Sequence, residues 1–136
     1  MTMLTDEIKQ ALIDQALLYQ KRAYAPYSNY AVGAAVLADD MQIYGGANIE
    51  NSAYPSGLCA ERVAIFHAIS EANKKILAVV VATKNGGSPC GSCRQVMREF
   101  GAPDMPIILV DEEGDIVLES TLEGMLPYSF GPEDLI

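Results

Sequence analysis

The sequence has no uninterrupted apolar run long enough to cross a membrane, although half of its 136 residues are hydrophobic. A membrane-spanning helix needs about 20 consecutive apolar residues, so we expect no membrane segment. The first residues also lack the basic stretch and apolar block of a secretory signal. We therefore expect no signal peptide and a cytoplasmic location.

Positive charge is scarce in this chain. Nine Lys and Arg residues are set against 18 Asp and Glu residues, which gives a formal net charge of −9. A protein that binds a phosphate backbone needs the opposite balance. We therefore expect no long nucleic acid partner, whereas a small uncharged ligand remains compatible with the charge. Since no membrane segment is expected, we expect no membrane partner either.

Cysteine and histidine are also few, with three Cys and one His. An odd number of cysteines in a cytosolic chain argues against a disulfide framework, so they are either scattered small hydrophobes or members of one site. No internal repeat or linker is visible in the sequence. We therefore expect residues 1–136 to form a single domain.

Hydrophobic periodicity and turn residues predict eight main elements. We expect helices over residues 5–22, 59–73 and 90–100, and strands over residues 32–38, 42–49, 76–83, 106–110 and 116–119. Only short helical turns are expected after Leu122. The order α-β-β-α-β-α-β-β indicates a mixed sheet covered by helices.

Cys90 and Cys93 lie one helical turn apart at the predicted start of a helix, and Cys59 opens another. The C-x-x-C pair alone is compatible with a redox motif. Three thiolates would instead give zinc three protein ligands and leave a fourth position open, as in catalytic zinc sites. The single histidine, His67, lies about two turns beyond Cys59 and is expected on the helix surface and not at the metal.

The stretch S-G-L-C-A-E-R places Glu61 and Arg62 directly after Cys59. By itself it is also compatible with a buried cysteine followed by two ordinary helix charges. Beside a metal, Glu61 could accept a proton from water at the open position without being a ligand. Hydrogen bonds from Arg62 to thiolate sulfurs could withdraw some of their negative charge. Arg94 is a second candidate for that role, although we expect it to form an exposed salt bridge.

Four separated blocks of the sequence resemble the cytidine deaminases, which belong to the zinc-dependent nucleoside deaminases. In chain order they are A-Y-A-P-Y-S-N-Y-A-V-G-A-A, N-I-E-N-S-A-Y-P-S-G-L-C-A-E-R, S-P-C-G-S-C-R-Q-V-M-R-E-F and L-P-Y-S-F-G-P-E-D-L. A zinc site with three cysteines, or one histidine and two cysteines, beside a non-ligand glutamate is general among zinc-dependent nucleobase deaminases. The resemblance implies a three-layer α-β-α sandwich with a five-stranded mixed sheet. It also implies the short-chain homotetrameric form, with one zinc ion per subunit.

The resemblance also implies roles for individual residues around the substrate. Asn48 and Glu50 match the ribose-binding pair of the family, and the Ala60 N–H, at a helix start, could hold the base O2. Tyr30 stands where the family usually has a Phe that stacks on the pyrimidine, so its hydroxyl needs a partner. Two further aromatic residues match those that enter a neighbouring subunit's site: Tyr54 and Phe130.

The implied reaction is the hydrolysis of cytidine and 2′-deoxycytidine to uridine and 2′-deoxyuridine with release of ammonia, a step of pyrimidine salvage. A deaminase of another cytosine nucleoside, such as blasticidin S, would share the metal motif, although the N-I-E-N stretch argues against it. A deaminase that edits polynucleotides is disfavoured by the short acidic chain. A non-catalytic zinc-binding module would keep the cysteines but would have no need of Glu61.

Overall fold

The computed structural model of the protein describes residues 4–136. The first three residues, on which part of the signal-peptide expectation rests, lie outside the described residues. Within the described range, no helix is both long enough and apolar enough to span a membrane.

The elements follow the expected order. Residues 4–136 contain four α-helices: α1 (Asp6–Gln20), α2 (Ala60–Ser70), α3 (Gly91–Phe100) and the short α4 (Leu122–Met125). The strands are β1 (Gly33–Ala38), β2 (Ile43–Ala47), β3 (Ile76–Ala82), β4 (Pro106–Val110) and β5 (Ile116–Thr121). Single 3-10 turns lie at Tyr54–Ser56 and Pro132–Asp134.

The five strands form one sheet in the order β2-β1-β3-β4-β5. Strands β3 and β4 are parallel, and every other neighbouring pair is antiparallel, so the predicted mixed sheet is confirmed. Strand β3 is almost wholly buried because helices cover both of its faces, which explains its continuous run of β-branched residues.

Helix α1 covers one face of the sheet, and α2 and α3 cover the other. Successive side chains of β1 point to opposite faces of the sheet. Ala35 and Leu37 pack with buried residues of α1, whereas Val36 packs with buried residues of α2 and α3. Three layers therefore result, as expected.

Local chemistry explains where the helices begin and how α2 reaches the sheet. Thr5 caps α1 by accepting a hydrogen bond from the Ile8 N–H. Gly46 of β2 permits the close approach of α2, since a Cβ there would lie 2.4 Å from the Ala64 nitrogen. This contact helps to fix α2, and with it the start of the helix that carries Glu61.

Several element boundaries differ from the sequence expectation by one to three residues, and two of them, at the ends of α2 and β2, bear on the site. Helix α2 ends at Ser70 and not near Asn73, because Ala72 adopts a positive φ of 71° and the Asn73 side chain donates a hydrogen bond to the Ala68 carbonyl. Strand β2 ends at Ala47, after which the chain leaves the regular ladder.

Candidate metal centre and active site

The three cysteines come together at the N-termini of two helices. Cys59 is the residue before α2, and Cys90 is the residue before α3, with Cys93 in its first turn. Their sulfur atoms all lie within 4.8 Å of one another, and the Cys90 and Cys93 sulfurs are 3.3 Å apart. A third sulfur beside the C-x-x-C pair favours a metal site over a simple redox pair.

The cluster has the chemistry that zinc requires. A hydrogen bond from Cys93 and the nearby Arg62 guanidinium lower the pKa of Cys59 to about 5, and the same hydrogen bond, together with burial, raises the pKa of Cys93. Helix N-termini further favour thiolates at these positions. Cys93 is fully buried whereas Cys90 is exposed, so the cluster spans the boundary between core and cavity. Three soft thiolate donors fit one zinc ion.

Glu61 lies beside this cluster in an enclosed position. Its side chain is only 4% exposed, although it is in the first turn of α2. Burial raises the pKa of its carboxyl group to about 7, and the negative charge on Cys59 adds to the effect. A carboxyl group with this pKa can both accept and release a proton near neutral pH.

Arg62 directs its guanidinium at the cluster. Its Nη2 atom lies 3.6 Å from the Cys59 sulfur. Among the described residues, the buried Nε atom of Arg62 has no hydrogen-bond partner.

Two adjoining cavities meet at the cluster. The inner cavity, of about 270 Å³, is lined by Tyr30, Ala60, Glu61 and Cys90 among others. The outer cavity, of about 440 Å³, is lined by Tyr54 and Arg62 among others. Four residues line both cavities: Ser28, Asn48, Glu50 and Cys59. Together they form a concave site with a few polar groups, as is usual for small-molecule binding.

Asn48 and Glu50 are already engaged by the main chain of the loop before β1. The Asn48 side chain accepts from the Val32 N–H and donates to the Tyr30 carbonyl, both over 2.9 Å. The Glu50 carboxylate accepts from the Ser28 N–H and from its hydroxyl, as well as from the Tyr27 N–H. The sequence did not reveal this second, architectural use of the pair.

The hydroxyl of Tyr30 has the partner that it needs. It donates to Asn85 Oδ1 over 2.6 Å. Asn85, Thr83 and Gly87 belong to the loop before α3 and were missed by sequence reasoning. The unusual tyrosine was a signal that such a partner exists, but nothing local identified it.

The two aromatic residues expected at a subunit boundary are exposed. Tyr54 is 77% exposed at the rim of the outer cavity, and Phe130 is 57% exposed. Phe130 lines neither cavity of its own chain, and Gln95 donates a hydrogen bond to its carbonyl. The structure therefore does not bring Phe130 to the cysteine cluster of the same chain.

Within residues 4–136, Arg94 forms no salt bridge, so the expectation of an exposed salt bridge is wrong. Its guanidinium donates to the carbonyls of Pro89 and Met125 and to the Ser88 hydroxyl, which ties the loop before α3 to α4. His67 is exposed on α2, as expected, with Nδ1 3.2 Å from the Gly45 carbonyl.

Comparisons with known proteins identify the family in which these site residues occur. The family model described as the cytidine and deoxycytidylate deaminase zinc-binding region matches residues 6–109, which include the cysteines and Glu61. A cytidine deaminase of Sporosarcina psychrophila is 48% identical over 128 residues, which cover 93% of each chain. One of Halalkalibacterium halodurans is 43% identical and covers 93% of this chain and 97% of its own.

The fold is similar to that of a solved relative. The crystal structure of cytidine deaminase from Burkholderia pseudomallei superimposes with a TM-score of 0.83 and 38% identity, covering 89% of this chain and 98% of that one. The family match extends over most of the chain and includes the zinc-ligand cluster. The chain therefore belongs to the cytidine and deoxycytidylate deaminase family.

Proposed function

We propose that the protein is a zinc-dependent hydrolase that converts cytidine and 2′-deoxycytidine to uridine and 2′-deoxyuridine with release of ammonia. One observation carries the proposal: three cysteine sulfurs lie within 4.8 Å of one another, and two of these cysteines, Cys59 and Cys90, line the inner cavity together with the buried Glu61. The match to curated cytidine deaminases over 93% of the chain supports the substrate class. Residues 1–136 would act as one cytidine deaminase domain.

Cys59, Cys90 and Cys93 would hold one zinc ion per subunit, since their sulfurs form a compact donor set. When bound, zinc supplies Lewis acidity that makes water a nucleophile near neutral pH. The hydrogen bond from Arg62 to the Cys59 sulfur would reduce the charge that the thiolates donate.

Glu61 would move both protons of the reaction. It accepts one proton from the attacking water and delivers it to N3 of the pyrimidine while the water oxygen adds to C4. It then carries the second proton to the amine that leaves as ammonia. Because burial raises its pKa to about 7, the same carboxyl group suits both transfers.

The cavity residues would orient the nucleoside. Asn48 and Glu50 line both cavities, so a ribose could lie between them, using acceptor positions that remain on the Glu50 carboxylate. The Ala60 N–H, in the first turn of α2, has no intrahelical partner and could donate to the base O2. Tyr30 would contact the pyrimidine ring.

The active form would be a cytoplasmic homotetramer with shared sites. Tyr54 and Phe130 are large, exposed and placed at or outside the rim of the outer cavity, where a neighbouring chain could use them. Closed symmetry would let each subunit both give and receive such a side chain. A long nucleic acid is not expected as a partner, given the net charge of −9. A membrane is not expected as a partner either, since the sequence has no long apolar run.

The test combines zinc analysis with a cytidine-to-uridine absorbance assay on the wild type and a Glu61→Gln variant. The variant should retain zinc and fold, but lose more than about 10²-fold in kcat, because the amide cannot accept a proton. Glu71→Gln at the exposed far end of α2 is the matched control and should retain full activity.

Other results would contradict the proposal. Zinc binding without any turnover of cytidine or 2′-deoxycytidine by the wild type would favour a non-catalytic module. Turnover of blasticidin S but not of cytidine would show that the substrate is another cytosine nucleoside. A Glu61→Gln variant with more than about a tenth of wild-type kcat would exclude the proton-transfer role.

A further inference from the structure

Tyr30 and Asn85 join the two loops that flank the inner cavity. Tyr30 precedes β1, whereas Asn85 lies in the loop that runs from β3 to Cys90 and α3. The hydroxyl of Tyr30 donates to Asn85 Oδ1 over 2.6 Å, which links positions 55 residues apart. The same tyrosine lines the inner cavity with Glu61. One hydrogen bond thus connects a cavity wall to the segment that leads to the metal ligands.

The acceptor is held in place by its own loop. The buried Thr83 hydroxyl accepts the Gly87 N–H over 2.7 Å and lies 3.5 Å from Asn85 Oδ1. An isolated bridge pairs Asn85 with Asp111, which follows β4. Because the loop is fixed at these points, the position of Asn85 determines where the Tyr30 hydroxyl rests.

Gly87 leaves the space that the hydroxyl occupies. A Cβ at this residue would lie 2.8 Å from the Tyr30 hydroxyl oxygen, whereas the next contacts, at 3.5 and 3.9 Å, are ordinary. Gly87 does not have a left-handed φ, so its backbone conformation alone would accept alanine. An alanine at Gly87 would therefore force the Tyr30 hydroxyl to shift, although the turn itself would accept it.

We propose that Asn85 and Gly87 are positioning residues that seat the Tyr30 hydroxyl and thereby fix its ring in the wall of the inner cavity. The ring position then sets the space available for the pyrimidine beside Glu61. The hydroxyl proton is committed to Asn85, so the substrate meets the ring of Tyr30 and not a free donor. This inference rests on the proposed function, since it assigns a role within the same reaction.

The first test is a double-mutant cycle of Tyr30→Phe and Asn85→Ala. Each variant should lose about two- to tenfold in kcat/KM, which corresponds to one hydrogen bond. The double variant should lose no more than the worse single variant, because both changes remove the same bond. The losses should be equal for cytidine and 2′-deoxycytidine, since the bond positions the base. Tyr24→Phe, exposed in the same loop and outside both cavities, is the matched control.

The second test uses the predicted steric conflict. Gly87→Ala should reduce kcat/KM in the wild type because the added methyl group meets the hydroxyl. Adding Tyr30→Phe removes that oxygen and should restore part of the activity. The same Tyr30→Phe change would therefore be harmful with Gly87 present and beneficial with Gly87→Ala. Zinc content and thermal unfolding are measured throughout, so that loss of metal or fold is not mistaken for altered positioning.

Each failure has a separate meaning. Additive losses of kcat/KM in the double-mutant cycle would overturn the inference, as would a Tyr30→Phe variant as active as the Tyr24→Phe control. In either case, an active wild type would still support the proposed function. The same holds if Tyr30→Phe lowers activity further in the Gly87→Ala background. A wild type inactive on both nucleosides would overturn the proposed function itself. If the Gly87→Ala variants do not fold, the double-mutant cycle of Tyr30→Phe and Asn85→Ala decides whether the inference holds.

Discussion

Replacing Asn48 by Ala removes two main-chain hydrogen bonds and one proposed ribose contact. The side chain spans the loop before β1, accepting from Val32 and donating to the Tyr30 carbonyl, each over 2.9 Å. A typical protein hydrogen bond contributes about 0.5–1.5 kcal/mol net to stability. Two lost bonds therefore predict a decrease of about 1–3 kcal/mol in the free energy of unfolding.

The same variant should lose activity in a way that depends on the sugar. Part of the loss should appear with free cytosine too, because the Tyr30 carbonyl loses its support and the cavity wall shifts. The loss with cytidine should be about two- to tenfold greater, since only the nucleoside also loses a hydrogen bond to ribose.

Urea unfolding at fixed protein concentration measures the first effect, and kcat/KM for cytidine and cytosine measures the second. Gln10→Ala on the surface of α1 is the control, and its stability should change by less than about 0.5 kcal/mol. Unchanged stability of Asn48→Ala would refute the architectural role. Equal activity losses on both substrates would refute the ribose contact.

Two further predictions concern assembly and pH. Mixing Glu61→Gln with an impaired Phe130→Ala variant, after dissociation and reassociation, should restore part of the cytidine turnover, because some sites would combine an intact Glu61 with an intact neighbouring Phe130. Mixed oligomers without recovered activity, or a fully active monomer in sedimentation, would contradict this. Ser28 lowers the pKa of Glu50 by hydrogen bonding, so their mutual stabilisation is present at neutral pH and lost as pH falls through the folded-state pKa. Ser28→Ala should therefore lower the urea midpoint at neutral pH, and its difference from the wild-type midpoint should narrow in acid. A difference that does not change with pH would contradict this prediction.

Most of the fold could be predicted because its signals are local. The β-branched run of β3 and the helical spacing of α1 follow from short-range patterns, and all eight predicted elements are present. The end of α2 was placed too late because Asn73, which caps the helix by bonding the Ala68 carbonyl, also bonds distant Asp40. Helix boundaries of this kind depend on partners outside the local pattern.

The candidate metal site was also accessible from the sequence, since its chemistry is concentrated in two short motifs. Cys59 and Glu61 lie two residues apart, and Cys90 and Cys93 are separated by one helical turn. Each motif alone left other interpretations open, but the three cysteines considered together predicted zinc ligands with Glu61 as a nearby proton acceptor. That the two motifs meet depends on the sheet order β2-β1-β3-β4-β5, which places the starts of α2 and α3 together.

Only the tertiary structure decided how the surrounding side chains are used. Arg94 supports a loop and forms no salt bridge within the described chain, because carbonyls of Pro89 and Met125 converge on it from separate segments. The partner of the Tyr30 hydroxyl lies 55 residues away. Such contacts have no periodicity or spacing by which they could be recognised. The sequence by itself therefore determined which residues are candidate ligands and proton acceptor, while the packing of distant segments decided the shape of the cavity beside them.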